Sequence, residues 1–190
     1  MSAAPLVGVL ALQGGFEAHA QVLRRLGAEV REVRVPADLE GLDGLIMPGG
    51  ESTVMTLGIE REGMAEPLRA LAAAGTPVLG TCGGLVMLDR DHLGLMDLRA
   101  RRNAFGRQVR SFEAELDFAG LEGGPLSAVF IRAPWIEDAG EGVTLLAEVD
   151  GHPVAAQQDN LLAVAFHPEL DGDPRVHERF LALVRARRDA

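Results

Sequence analysis

The chain has 190 residues and a mass of 20.2 kDa, and 47% of its residues are hydrophobic, which is enough to bury a sizeable core in one domain. Its 18 basic and 28 acidic residues give a formal charge of −10, which argues against nucleic acid as a partner. No apolar run reaches the roughly 18–20 residues that a membrane span needs. The sequence has no lysine, which excludes a Walker A loop and a side-chain amine for a Schiff base. It has only one cysteine, Cys82, which excludes an intrachain disulfide and a multi-cysteine metal site.

The first half of the chain alternates apolar runs typical of strands with helical patterns. In chain order we predict a strand at Leu6–Leu12, a helix at Phe16–Leu26, strands at Ala28–Val35 and Leu45–Met47, a helix at Met64–Ala74 and a strand at Pro77–Gly80. This alternation predicts an α/β fold with three layers, in which a mostly parallel central sheet carries helices on both faces.

The second half reads as short strands joined by turns, with a helix at the end. Strands are predicted at Ser111–Phe118, Ala128–Ile131, Val143–Val149, Val154–Gln157 and Leu161–Phe166, and the closing helix at Pro174–Arg188. Because the turns between these strands are short, we expect some antiparallel pairing here. We interpret residues 1–190 as a single domain.

The only cysteine lies in a pattern that is typical of a nucleophile. Gly80-Thr81-Cys82-Gly83-Gly84 follows a predicted strand and precedes an apolar helical run, which is the G-x-S-x-G elbow with cysteine in place of serine. The positive end of a helix dipole stabilises a thiolate at that position. The alternative is a buried, inert cysteine, and the flanking glycines argue against it.

Two further segments also follow predicted strands. Phe166-His167-Pro168-Glu169 places a carboxylate two residues after a histidine, so that Glu169 can orient His167 as a base; a polar turn is the alternative. The run Pro48–Thr53 is rich in glycine, so its backbone N–H groups can form an oxyanion hole or an anion nest. The alternative is a turn in which Ser52 or Thr53 caps a helix. Ligands of open α/β sheets bind at this strand edge.

Taken together, these residues resemble the class I, triad-type glutamine amidotransferases, and within them the glutaminase subunits of pyridoxal 5′-phosphate synthases. The elbow and the His-Pro-Glu run are shared across the wider superfamily, whereas Arg102–Gln108 and Phe130–Pro134 are more specific. The remaining matching segments are Val9–Gly14, Pro48–Thr53, Ser111–Glu113 and Asn160–Ala163. The sequence departs from the family pattern at Gly83, where alanine is usual, at Gln157, and at Asp171, where threonine is common.

The resemblance implies a flavodoxin-like fold and a Cys-His-Glu triad. Cys82 would be the nucleophile, His167 the general base and acid, and Glu169 the group that orients His167. L-Glutamine would be bound by Gly49, Gly50, Glu51, Arg102, Ile131 and Arg132, with the backbone N–H groups of Gly50 and Gly83 as oxyanion donors. No metal and no cofactor are implied.

The resemblance also implies a partner. Ammonia would pass to a lysine-bearing synthase (lyase) subunit within a large hetero-oligomer, which fits the absence of lysine here because imine chemistry must then belong to that partner. Met1 to Pro5 lacks the charged n-region and cleavage site of a signal peptide, so we expect a cytoplasmic location.

Two alternatives stay open at this point. The chain could be the glutaminase subunit of another amidotransferase, of the imidazole-glycerol-phosphate or anthranilate type, although those usually carry Cys-Leu-Gly where this chain has Cys-Gly-Gly. It could also be a non-catalytic regulatory binder with the same fold, although the complete set of Cys82, His167 and Glu169 argues against that.

Overall fold

A computed structural model describes residues 3–106 and 111–190 of the chain. Its strands are β1 (Leu6–Leu10), β2 (Glu29–Val33), β3 (Gly44–Met47), β4 (Val78–Thr81), β5 (Leu98–Arg101), β6 (Ser111–Leu116), β7 (Leu126–Ile131), β8 (Trp135–Ala139), β9 (Thr144–Val149), β10 (His152–Gln158) and β11 (Leu161–Val164). Its helices are α1 (Phe16–Arg25), α2 (Ser52–Arg61), α3 (Ala65–Ala73), α4 (Gly83–Leu88) and α5 (Arg175–Asp189), with a 3-10 turn at Pro36–Leu39.

The main sheet has seven strands in the order β2-β1-β3-β4-β11-β10-β9. The first five pair in parallel, whereas β10 pairs antiparallel with both β11 and β9. Two antiparallel ribbons, β5-β8 and β6-β7, accompany this sheet. The predicted mostly parallel sheet with antiparallel strands in the second half is therefore confirmed.

Helices cover both faces of the sheet. A Cβ on Gly44 would contact Val184 of α5, whereas a Cβ on Gly80 would contact Leu88 of α4. Gly80 pairs in register with Met47, and residues 44 and 47 of one strand point to opposite faces. Helices α5 and α4 thus lie on opposite sides of the sheet, as the three-layer prediction requires.

The strands are buried because both faces of the sheet are covered. All four residues of β3 and of β4 are buried, as are four of the five in β1 and three of the four in β11. This explains why these segments read as continuous apolar runs without alternation. Because the four strands are parallel neighbours, the loops after their carboxyl ends meet at one edge.

Several elements differ from the sequence-based expectations. Strands β5 and β8 were not predicted, since each is short and carries two charged side chains. Helix α2 begins at Ser52 with Glu51 at its N-cap and no side-chain capping bond, so the alternative in which Ser52 or Thr53 caps the helix was wrong. Among the described residues, no helix is both long and apolar enough to cross a membrane.

Candidate active site

Cys82 occupies a strained turn between β4 and α4. Its φ of 49° and ψ of −109° lie in a region that residues with a side chain rarely adopt, while its N–H donates to the Val164 carbonyl of β11 at 2.8 Å. The residue is 7% exposed, and Sγ lies 3.8 Å from the Ile131 carbonyl oxygen. The neighbouring sheet therefore holds the thiol at the strand edge in the conformation of an elbow.

His167 and Glu169 form a local pair after β11. Nδ1 of His167 lies 2.8 Å from Oε1 of Glu169, and the backbone N–H of His167 donates to the Val129 carbonyl of β7 at 2.9 Å. The Glu169 side chain is only 3% exposed and lies behind the imidazole. With the carboxylate on Nδ1, the other ring nitrogen is left for the thiol of Cys82.

The electrostatics of this pair favour an imidazolium next to a carboxylate. Burial on its own would lower the pKa of His167, but hydrogen bonds with Cys82 and Glu169 outweigh it and raise that pKa to about 10. Burial would likewise raise the pKa of Glu169, yet the hydrogen bond from His167 and the positive charge of that imidazolium hold the pKa below its usual value. A proton is therefore available at His167 at neutral pH.

The glycine loop after β3 packs directly against these side chains. A Cβ on Gly49 would lie 2.6 Å from Cε1 of His167 and 3.1 Å from Cβ of Cys82. A Cβ on Gly83 would lie 2.6 Å from the Gly50 carbonyl oxygen. The absence of side chains at Gly49 and Gly83 thus permits a close approach of three loops, and Gly83 fits this packing where alanine would displace Gly50.

A cavity of about 160 Å³ opens at this point. It is lined by backbone and side chains from five segments of the chain, and three of its lining residues other than glycine have a positive φ, namely Cys82, Asn103 and Arg132. Its full lining is Gly50, Glu51, Ser52, Cys82, Gly83, Val86, Arg102, Asn103, Ile131, Arg132, Pro134 and His167. Of the predicted site residues, only Gly49 and Glu169 are outside this wall: Glu169 contacts Nδ1 of His167, and Gly49 packs so close to His167 that a Cβ on it would lie 2.6 Å from Cε1.

Charged side chains lie at the mouth of the cavity. Arg102 is placed 3.4 Å from a carboxylate oxygen of Glu51 and 3.2 Å from the Thr53 hydroxyl. This arrangement presents a cation and an anion together, which suits a ligand that carries both a carboxylate and an ammonium. Of the specific segment Arg102–Gln108, Arg107 and Gln108 lie outside the described residues.

Sequence reasoning missed a group behind the triad. His19 of α1 is fully buried, and its Nε2 lies 3.3 Å from Oε2 of Glu169. The signal was present in the helix, because His19, Val22 and Leu23 share one face at helical spacing, and all three are buried.

Comparisons with known proteins identify the family and the fold of the chain. The family model described as the SNO glutamine amidotransferase family matches residues 9–186. Two curated relatives, each named pyridoxal 5′-phosphate synthase subunit PdxT, come from Corynebacterium jeikeium (52% identical, covering 96% of this chain and 98% of the relative) and Frankia alni (50% identical, 96% of each). A crystal structure of a glutamine amidotransferase superposes with a TM-score of 0.88 at 45% identity, covering 94% of this chain and 98% of that one.

Proposed function

The chain belongs to the SNO glutamine amidotransferase family, and on that premise we propose that it hydrolyses the side-chain amide of L-glutamine to L-glutamate and ammonia. The observation that carries this proposal is the placement of His167 between the only cysteine and a buried carboxylate, at the wall of a cavity with a charged mouth. We interpret residues 1–190 as one glutaminase domain with a cytoplasmic location.

The first half of the reaction uses the thiol and the imidazole. The thiolate of Cys82 attacks the amide carbon, and the developing oxyanion accepts hydrogen bonds from backbone N–H groups, for which Gly50 and Gly83 are the proposed donors. Protonated His167 then gives its proton to the amide nitrogen as the C–N bond breaks. Ammonia leaves, and a glutamyl thioester remains on Cys82.

The second half restores the enzyme. His167, now neutral, takes a proton from water, and the resulting hydroxide attacks the thioester carbon. The C–S bond breaks, glutamate leaves, and the sulfur returns as the thiolate beside protonated His167. Throughout, Glu169 accepts the hydrogen bond from Nδ1, so that Nε2 remains the nitrogen that exchanges protons.

Charges at the cavity mouth explain the choice of a free amino acid. Arg102 and Arg132 are proposed to bind the α-carboxylate of glutamine and Glu51 its ammonium, while Gly49, Gly50 and Ile131 shape the site. Binding of glutamine would exchange the contact between Arg102 and Glu51 for contacts with the ligand.

The partner is proposed to be the synthase subunit of pyridoxal 5′-phosphate synthase, in a large hetero-oligomer. Support comes from relatives that carry that name at about half identity over nearly the full length of both chains. Ammonia would pass to that subunit, whose lysines would supply the imine chemistry that a chain without lysine cannot.

The test is ammonia release from glutamine by the purified chain, with and without the synthase subunit. We expect release that depends on the partner and is lost in Cys82→Ala, while Cys82→Ala still binds the partner. A Cys82→Ala variant that releases ammonia would refute the assignment. Ammonia release without formation of pyridoxal phosphate in the reconstituted complex would instead favour another amidotransferase pathway.

A further inference from the structure

A second layer of buried polar groups lies behind Glu169, on the side away from the cavity. Oε1 of Glu169 contacts His167, whereas Oε2 makes no hydrogen bond to the described residues and faces Nε2 of His19 at 3.3 Å. Both side chains are almost completely buried, at 0% exposure for His19 and 3% for Glu169. A buried carboxylate oxygen is costly unless a donor compensates its charge.

The contacts of His19 determine which ring nitrogen carries its proton. Nε2 faces the carboxylate of Glu169 and also lies 3.2 Å from Oγ1 of Thr81, the residue before the nucleophile. A bare Nε2 would direct its lone pair at an anion, so the proton belongs on Nε2. Burial lowers the pKa of His19, which keeps the ring neutral despite the attraction of Glu169.

A second buried histidine completes the arrangement. With its proton on Nε2, His19 has a bare Nδ1, and this atom lies 2.9 Å from Nε2 of His177 in α5. His177 must therefore donate from Nε2, which leaves its own Nδ1 bare, and that atom has no hydrogen-bond partner among the described residues. Burial lowers the pKa of His177 to about 3, so it is also neutral. The N–H of His177 thus donates to His19, whose own Nε2 lies 3.2 Å from the Thr81 hydroxyl and 3.3 Å from Oε2 of Glu169.

We propose that His19 is a positioning residue for the glutaminase reaction, which holds the second carboxylate oxygen of Glu169 and so fixes that carboxylate against His167. His177 supports it by selecting the tautomer of His19. The inference rests on the proposed function, since it concerns the same triad. The titratable groups that face this pair are Glu169, His167 and, beyond His177, Arg25.

The test compares three variants with two readouts. His19→Leu removes the donor, His19→Gln restores an N–H at the position of Nε2, and Val22→Ala loosens the same buried face of α1 without touching a polar group. The first readout is kcat and KM for glutamine in the complex. The second is the ultraviolet absorbance of the Cys82 thiolate in the chain alone, with Cys82→Ala as the blank; because Cys82 is the only cysteine, the signal has one source.

In His19→Leu we expect kcat to fall about 10- to 100-fold with KM nearly unchanged, because Glu169 no longer holds His167 in place. The thiolate absorbance at neutral pH should also fall. His19→Gln should recover most of the lost kcat and most of the lost thiolate absorbance. Val22→Ala should lower the melting temperature and leave kcat and the thiolate absorbance unchanged. Should His19→Leu not fold, His19→Asn takes its place, since its shorter amide cannot reach the position of Nε2.

The inference is overturned if the variant lacking the donor matches wild type in both readouts, if His19→Gln is no better than it, or if Val22→Ala moves the thiolate signal equally. Failure of the proposed function looks different. In that case the wild-type complex releases no ammonia from glutamine, while the thiolate measurement, which needs no turnover, still reports on His19.

Discussion

Gly49 offers the sharpest perturbation of the triad, because it is the point where backbone touches both reacting side chains. Gly49→Ala adds one methyl group, and the φ of Gly49 lies outside the left-handed region, so the backbone itself accepts alanine. The new Cβ would lie 2.6 Å from Cε1 of His167, whereas ordinary contacts begin at 3.4 Å. The imidazole, the loop or both must therefore shift by about 0.8 Å in total.

The size of the effect follows from this displacement. A misplacement of about 1 Å costs on the order of 100-fold in rate, which corresponds to about 2.7 kcal/mol in the activation free energy. The loss should appear in kcat, since His167 transfers protons during the reaction and the charged residues at the cavity mouth are unchanged. The global fold should persist, because the clash involves a side chain that can move.

The assay is steady-state ammonia release in the complex, and Gly142→Ala is the matched control. Gly142 is exposed, has no atom within 4 Å of its ideal Cβ position and does not have a left-handed φ. Gly142→Ala should have wild-type kcat and KM. A Gly49→Ala variant with wild-type kcat would refute the packing of the glycine loop against His167.

Three further expectations follow from the same contacts. Glu169→Gln removes the carboxylate from Nδ1 of His167, so the pKa of His167 should fall from about 10 toward its usual value. We expect kcat to drop about 1000-fold as a result. An unchanged titration of His167 measured by NMR would contradict this. Burial raises the pKa of Asp171 to about 6, so the folded chain loses stability as the pH rises from the unfolded pKa of 3.8 through 6. The free energy of unfolding of Asp171→Asn should therefore exceed that of wild type by about 1 kcal/mol at neutral pH, after allowance for solvent screening, and by almost nothing at acidic pH. Equal gains at both pH values in urea denaturation would count against this. Gly84→Ala would place a Cβ 1.9 Å from the Met47 carbonyl oxygen, so we expect a loss of at least about 3 kcal/mol in unfolding free energy, and a variant as stable as wild type would contradict the packing of α4 on β3.

The parts of the fold that could be predicted from sequence are those with a strong local signal. The buried parallel strands were predicted because residues on both faces are apolar, as in Leu45–Met47, and their ends were marked by glycine or proline. Strand β8 was missed because Glu137 and Asp138 lie in its five residues, and only pairing with β5 makes that segment a strand.

The candidate site likewise has parts that a local sequence pattern predicts and parts that only the fold brings together. His167 and Glu169 are two residues apart, so their pairing could be predicted, and the elbow of Cys82 is a local pattern. The contact between His19 and His177 joins residues 158 positions apart, and it arises only because α1 and α5 cover the same face of the sheet. No local pattern carries that information.

The central claim is that Cys82 attacks glutamine with His167 beside it, and covalent trapping tests it most directly. The reconstituted complex is treated with an electrophilic glutamine analogue, and the adduct is located by peptide mass spectrometry. We predict one adduct on this chain, at Cys82, formed in step with loss of ammonia release and prevented by excess glutamine. Loss of ammonia release with no adduct at Cys82, or an adduct that glutamine does not compete with, would contradict the account.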